Sequence, residues 1–392
     1  MSITRRDFLN GVALNITAGL TPAAQVAAAA QRYPPALTGL RGSHIGSFEV
    51  AHEVGREGRK FPIDSLRSEE RYDLVVVGGG ISGLAAAYFY RRARPSDKIL
   101  ILDNHDDFGG HAKRNEFTLG GRLELINGGT LSIDSPKPYS AVADSLLKTL
   151  GIDPVALSEK YWRRDFYSSF GLRRGIFLDK ETFGADHLVV VSDGKSWAER
   201  LASSPLSAQV RSDIARIEEA HIDCMPGLTS DEKKRRLAKM SYRDFLLNVV
   251  KADPGVVAFY QARTHGEWGV GIDAVSALDV WAFRLPGFQG LDLKPGAAPG
   301  QGFTAAGYAG DGGSYSFHFP DGNASIARLL VRDLIPDAVP GTSAEDVVTA
   351  RIDYAKLDRA AAPVRIRLSS TAVRARNVGD AMSAKEVEIA YA

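Results

Sequence analysis

Hydrophobic and polar positions change their pattern along this chain, and each pattern predicts a different element. Residues 73–77, Asp-Leu-Val-Val-Val, and 98–102, Lys-Ile-Leu-Ile-Leu, are short β-branched runs without alternation. Such runs mark parallel strands covered on both faces. Leu84-Ala-Ala-Ala-Tyr-Phe-Tyr-Arg-Arg92 lies between them and is built from good helix formers. Residues 117–126 predict a hairpin with a glycine turn. Residues 139–151 predict an amphipathic helix with Val142, Leu146, Leu147 and Leu150 on one face and Gly151 as its stop. Near the C-terminus, 364–368, 370–376 and 386–391 alternate apolar and charged residues, which predicts an antiparallel, half-exposed sheet.

The middle of the chain reads as mixed α+β. Residues 162–177 predict aromatic-rich short strands. Thr229-Ser-Asp-Glu232 is a capping box before a charged helix, Ser241-Tyr-Arg-Asp244 repeats the signal, and Pro254 starts another helix. The aromatics Trp268, Trp281 and Phe283 suit either a core or a cap over a substrate cavity. Residues 286–313 are rich in glycine and proline and predict a linking loop. Phe319-Pro-Asp-Gly-Asn-Ala324 then leads into a helix over 325–334.

The chemistry concentrates between the first two strands. Gly78-Gly79-Gly80-Ile81-Ser82-Gly83 fits G-x-G-x-x-G, with Asp103 at the tip of the second strand. Gly78 permits a tight turn, Gly80 lets backbone approach a pyrophosphate, and Gly83 lets helix and strand pack closely. Ser82 falls in the first helical turn, where unpaired N–H groups and the helix dipole favour phosphate. Asp103 is placed to accept hydrogen bonds from an adenosine ribose. A packed glycine turn with no ligand is the structural alternative.

Composition narrows the class. With 48 Lys plus Arg against 47 Asp plus Glu, the net charge is +1, which gives no electrostatic case for nucleic acid. Cys224 is the only cysteine, which excludes an internal disulfide and cysteine-rich metal sites. The eight histidines show no metal-ligand spacing, so no metal is expected. Residues 1–30 carry Arg5-Arg6, a mildly apolar stretch and an alanine run, which predict a twin-arginine export signal and a periplasmic destination. That stretch is too short and too polar to span a membrane, so an integral membrane protein is not expected.

Asp106-Asp-Phe-Gly-Gly-His-Ala-Lys-Arg-Asn115 resembles the second signature of the flavin amine oxidase superfamily. The resemblance implies FAD, with Gly109 and Gly110 at the pyrophosphate. His111 stands where many relatives have Arg, so the phosphate contact falls to His111 or to Lys113 and Arg114. Leu37-Thr-Gly-Leu-Arg-Gly-Ser-His44, Gly78 to Asp103 and Phe319-Pro-Asp-Gly-Asn323 look like the spermidine dehydrogenase-like branch. In that family a Gly-Gly pair at Gly128-Gly129 passes the flavin ring, and Val373 pairs with adenine through its backbone. Arg41, His44 and His52 read as surface wrapping or as the lining of a cavity.

The expected fold is therefore α/β: an FAD/NAD(P)-binding Rossmann-type parallel sheet, an antiparallel sheet and a mixed α+β substrate domain. The expected order is a signal (1–30), a lead-in (31–71), an FAD-binding domain (72–151), a substrate cap (152–318) and a return to the FAD domain (319–392). The resemblance implies oxidation of a small-molecule amine such as spermidine by hydride transfer to flavin, with an electron acceptor the residues do not identify. Relatives of this branch continue beyond the sheet that closes this sequence, so a further C-terminal segment or a second chain is expected to complete the cavity. No catalytic base and no haem ligand is identified. Two alternatives stand beside this reading: an NAD(P)-dependent oxidoreductase, and a flavin-binding remnant without catalysis.

Overall fold

The computed structural model describes residues 33–37, 43–44, 46–134, 139–161, 163, 165–191, 194–294 and 315–392. The predicted export signal and Arg41 lie outside them, as does most of the glycine-rich stretch after Lys294. The chain divides into two compact units. One runs to Ser132 and adds Lys148–Ile152 and His318–Ala392; the other holds Ile133–Leu147 and Asp153–Phe317.

The first unit is built on a parallel sheet. After a short helix α1 (Glu49–Gly55) come β1 (Leu74–Val77), helix α2 (Ile81–Ala93) and β2 (Ile99–Leu102). A hairpin follows, β3 (Arg114–Leu119) and β4 (Arg122–Asn127), turned by Gly120 and Gly121, both at positive φ. The later chain returns as helix α3 (Ala324–Leu334) and three strands, β5 (Val364–Arg367), β6 (Ala372–Asn377) and β7 (Val387–Tyr391). Sheet order is β1-β2-β5, all parallel, with Leu74 beside Ile99 and Ile99 beside Val364. Strand β2 is its core: Ile99, Leu100, Ile101 and Leu102 are each at most 3% exposed. Helix α2 covers β1 and β2, and α3 packs on α2. This is the Rossmann-type α/β arrangement that the glycine unit implies.

One strand departs from the pattern reading. Residues 364–368 alternate apolar and charged, which predicts a half-exposed antiparallel strand; β5 is instead parallel and mostly buried. Its arginines are not solvent-facing markers. Arg365 is 7% exposed and binds Glu70 (2.7 Å) and Asp358 (2.6 Å). Arg367 binds the same two carboxylates at 2.9 and 2.7 Å. Only β6 and β7 form the antiparallel pair.

This cluster fixes an acid-sensitive joint. The hydrogen bond from Arg367 works against burial and, with those from Arg365 and Tyr72, holds the Glu70 carboxyl at about 2. A depressed carboxylate stabilises the fold above its unfolded value and loses that contribution as pH falls through its folded value. Glu70→Gln is therefore expected to flatten the decline in melting temperature between pH 4.5 and about 2. At neutral pH it should cost only ~1 kcal/mol or less, because Glu70 is partly solvated. An unchanged acid limb in a thermal-shift series would refute this assignment.

The second unit has its own core. Leu201, Ile214, Leu237, Tyr242, Phe245, Leu246, Tyr260, Ile272 and Val280 belong to one buried cluster. Phe245 and Phe288 stack at 4.5 Å, and Trp268 and Trp281 pack partly buried against the same cluster. These tryptophans are core material. Thr229 and Glu232 close the expected capping box ahead of the helix Ser230–Leu237, and Ser241 caps the next helix. Residues 162–177 are not all strand: Phe166–Ser169 is a helical turn, and only Arg174–Leu178 pairs, with His187–Val191. Phe166 meets Phe170 one helical turn on, at 5.4 Å, which favours the helical turn. The helix predicted over 139–151 spans Ala141–Thr149 and is divided between the units after Leu147.

Candidate functional site

Two glycine turns meet at the carboxyl ends of β1 and β2. Gly78 leaves β1 at φ +108°, a conformation that favours glycine, and donates its N–H to Leu102 O at 2.7 Å. Gly79 O then accepts from Gly109 N at 2.8 Å, so the second glycine turn hangs directly on the first. The Asp103 carboxylate is 5% exposed and secures both sides. Its Oδ2 accepts from Gly79 N at 2.7 Å and its Oδ1 from His105 N at 2.8 Å.

The glycines are needed for different reasons. A Cβ on Gly83 would lie 1.9 Å from the Gly78 carbonyl oxygen, and one on Gly109 would lie 2.6 Å from the Ala112 oxygen. Those two are required by the fold. Gly110 is at φ +59° and touches Gly80 backbone. Gly80 differs: it is the N-cap of α2 at φ −71°, and a Cβ there would meet nothing closer than 3.7 Å. The fold tolerates a side chain at Gly80, so its absence leaves the helix N-terminus open to a ligand. Ser82, in the first turn of α2, is exposed.

Other expected site residues are placed differently. Arg114 is a correction: its side chain is 2% exposed, bound to Asp321 at 2.8 Å, to Glu116 and to the Val348 carbonyl. Burial lowers its pKa, but the Asp321 and Glu116 partners outweigh that and leave it raised. A guanidinium so committed is not a phosphate ligand. Lys113 is also buried, and of the three basic candidates His111 alone is exposed. Gly128 and Gly129 are explained without a flavin ring, since Cβ atoms there would lie 2.8 and 2.9 Å from the Lys113 and His111 carbonyl oxygens. Val373 stands at a bulge, where pairing jumps from Ala372–Tyr391 to Arg374–Ala390. It has no residue opposite it in the ladder.

The structure also shows contacts around this site that the spacing of residues did not reveal. His44 lies 3.2 Å from Asp106, and Asn104 binds the Ser47 carbonyl, so the lead-in fastens the turn after β2. Tyr354 donates to the buried Asp107 at 2.6 Å. Burial raises the Asp107 carboxyl against the pull of that bond. His105 Nδ1 is buried without a partner; burial and then Lys113 push this imidazole down, favouring its neutral form. Separately, the second unit contains a depression of about 620 Å³ lined by Glu218, Trp281, Arg284 and Phe288 among others. Glu218 there is engaged by Tyr260 and Arg263.

The residues fit the adenosine diphosphate half of a dinucleotide. Paired glycine turns leave backbone open at Gly80, α2 presents its N-terminus there, and Asp103 sits at the β2 tip with lone pairs to spare. Among the described residues, no cluster of His, Cys, Asp and Glu could hold a metal ion, and no helix is long and apolar enough to cross a membrane.

Residues 76–149 match the NAD(P)-binding Rossmann-like domain family. Over 101 residues the chain is 32% identical to oxidoreductase PigB of Serratia sp. (strain ATCC 39006), covering 26% of this chain and 14% of that protein. A protein described as a protoporphyrinogen oxidase from Exiguobacterium sp. 255-15 aligns over 83% of this chain and 57% of its own, at 18% identity and TM-score 0.41. An oxidoreductase from Methanosarcina mazei aligns over 81% and 56%, at 13% identity and TM-score 0.34. Putrescine oxidase bound to putrescine aligns over 54% and 41%, at 18% identity and TM-score 0.28. The chain thus spans little more than half of the first two solved structures, and TM-scores this low carry neither fold nor chemistry across.

Proposed function

We propose that this chain is an oxidoreductase that holds FAD at the paired glycine turns and oxidises the carbon–nitrogen bond of an amine, with polyamines such as spermidine as the substrate class. The observation that carries the cofactor reading is the contact between the two turns, Gly109 N on Gly79 O at 2.8 Å, beside an N-cap glycine the fold itself does not require. Bound FAD supplies the hydride acceptor. The chain's own part is positional: Asp103 holds the first turn, Gly80 admits the pyrophosphate, and His44 with Ser47 fastens the turn after β2. The Gly109-Gly110 pair is what favours FAD over a nicotinamide dinucleotide. The amine rests on the sequence resemblance at 37–44 and 319–323. A nicotinamide dinucleotide is the second reading, favoured by the family match over 76–149.

The test is a visible absorption spectrum of the purified full chain after incubation with FAD and gel filtration, followed by anaerobic spermidine. Retained oxidised-flavin bands that bleach with spermidine are expected. Retained bands that spermidine, putrescine and spermine all leave unchanged would overturn the amine reading. Loss of FAD together with saturable NADPH binding would overturn the cofactor reading.

A further inference from the structure

We propose that residues 160–177 of the second unit attach this protein to an anionic lipid surface, lying in its headgroup layer without crossing it. The sequence there is Lys160-Tyr-Trp-Arg-Arg-Asp-Phe-Tyr-Ser-Ser-Phe-Gly-Leu-Arg-Arg-Gly-Ile-Phe177, with an aromatic stretch set between two arginine pairs. Residues 160–177 hold five cations and a single acid, Asp165, in a chain whose net charge is only +1. Attachment there is independent of which dinucleotide the first unit binds.

The structure presents this run to solvent. Every described residue from Arg163 to Gly175 is exposed, Tyr167 by 70% and Phe170 by 67%. Phe166 meets Tyr167 and Phe170 edge-on, each at 5.4 Å between ring centres, and the Arg163 guanidinium lies 5.3 Å over the Phe166 ring. The run leads straight into the hairpin of Arg174–Leu178 with His187–Val191, which is apolar on both faces. Ile176, Leu178 and Val189 seat one face in the buried cluster of the second unit. On the other face Phe177, paired with Leu188, and Val190 are all exposed. Apolar residues scattered singly over a surface are ordinary, but a run of this kind marks a binding surface.

The cations indicate what it binds. Covering these rings with an apolar protein face would strip water from the neighbouring guanidinium groups, and among the described residues Arg163, Arg173 and Arg174 have no carboxylate partner. A lipid interface satisfies both kinds of residue at once. The rings and Leu172 enter the boundary of the acyl chains, while the arginines stay level with the phosphates. Tyr161 and Tyr167 suit that boundary, each with an apolar ring and a polar hydroxyl. Among the described residues no helix is long and apolar enough to cross, so contact is with one surface.

The experiment floats the full chain with vesicles of phosphatidylcholine alone and of phosphatidylcholine with about one third phosphatidylglycerol. Partitioning onto the anionic vesicles is expected to exceed that onto the neutral ones by about tenfold or more, and to weaken as salt rises from about 0.1 M to about 0.5 M. Phe166→Ser, Tyr167→Ser and Phe170→Ser together should abolish flotation while leaving the melting temperature unchanged, since all three side chains are exposed. Arg163→Gln, Arg173→Gln and Arg174→Gln together should lower it by about tenfold, and provide the same test should the serine variant not fold. Arg235→Gln with Arg236→Gln, an equally exposed pair on the helix Ser230–Leu237, should change it much less. Equal partitioning onto both vesicles would overturn the anionic surface. Unchanged flotation in both patch variants would assign attachment to another part of the chain and overturn the proposal. So would no flotation at all, whether the chain stays monomeric or self-associates through this patch.

Discussion

Arg114→Met is expected to destabilise the protein by about 3–5 kcal/mol, the range for removing one partner of a buried ion pair. Arg114 binds Asp321, which is 0% exposed, and Glu116, which also receives the Tyr33 hydroxyl. Methionine matches much of the volume but, among the described residues, leaves Asp321 the Ser325 hydroxyl alone, 2.7 Å from its Oδ1. The loss is therefore chiefly the cost of a stranded carboxylate. It follows that Arg114→Met combined with Asp321→Asn should cost less than the sum of the two single changes, since contacting residues do not add. Arg114→Lys should also be costly, because an ammonium cannot span Glu116, Asp321 and the Val348 carbonyl as the guanidinium fork does. Urea denaturation midpoints of the four variants decide the matter. Near-normal stability in Arg114→Met, with weakened dinucleotide binding alone, would return Arg114 to the phosphate role its sequence position suggests.

That outcome bears on what the sequence could show. The strand, glycine turn, helix, strand and acid of 73–103 are legible because each step is local, and the closest approach, Gly83 on the Gly78 carbonyl, spans only five residues. The same holds for the hairpin at Gly120-Gly121 and the capping box at Thr229–Glu232. Misreadings arise where a charged residue is satisfied from far along the chain. Arg365 reads as solvent-facing because its partner Glu70 is distant in sequence, and Arg114 reads as available because Asp321 is also remote. The contacts of His44 with Asp106 and of Tyr354 with Asp107 are likewise invisible to spacing. Gly128-Gly129 shows a subtler limit. The pattern shows that close approach is needed, but not by what, and here the approaching group is the chain's own backbone.

Gly80 separates fold from function, and its substitution should have the largest effect on cofactor binding. Gly83→Ala would drive a methyl group to 1.9 Å from the Gly78 carbonyl oxygen, a rigid backbone atom, so helix and strand must part. A loss of ~3 kcal/mol or more is expected, at or above the upper end of overpacking costs. That loss would obscure any effect on binding. Asp103→Ala is also ambiguous: it removes an acceptor for a ribose, but it also frees Gly79 N and His105 N. Gly80→Ala is free of both faults, because φ is −71° and the nearest atom to the new methyl group is 3.7 Å away. Its melting temperature in the absence of cofactor should match the parent protein. Its hold on FAD should still fall by about 100-fold, or about 2.7 kcal/mol, since the methyl group occupies the space through which a phosphate approaches the α2 N-terminus. Gly80→Val should abolish retention altogether. The measurement is flavin stoichiometry after gel filtration, paired with a thermal melt of each variant without cofactor. Undiminished flavin in Gly80→Val would show that this turn is a packing device and that the dinucleotide, if any, binds elsewhere.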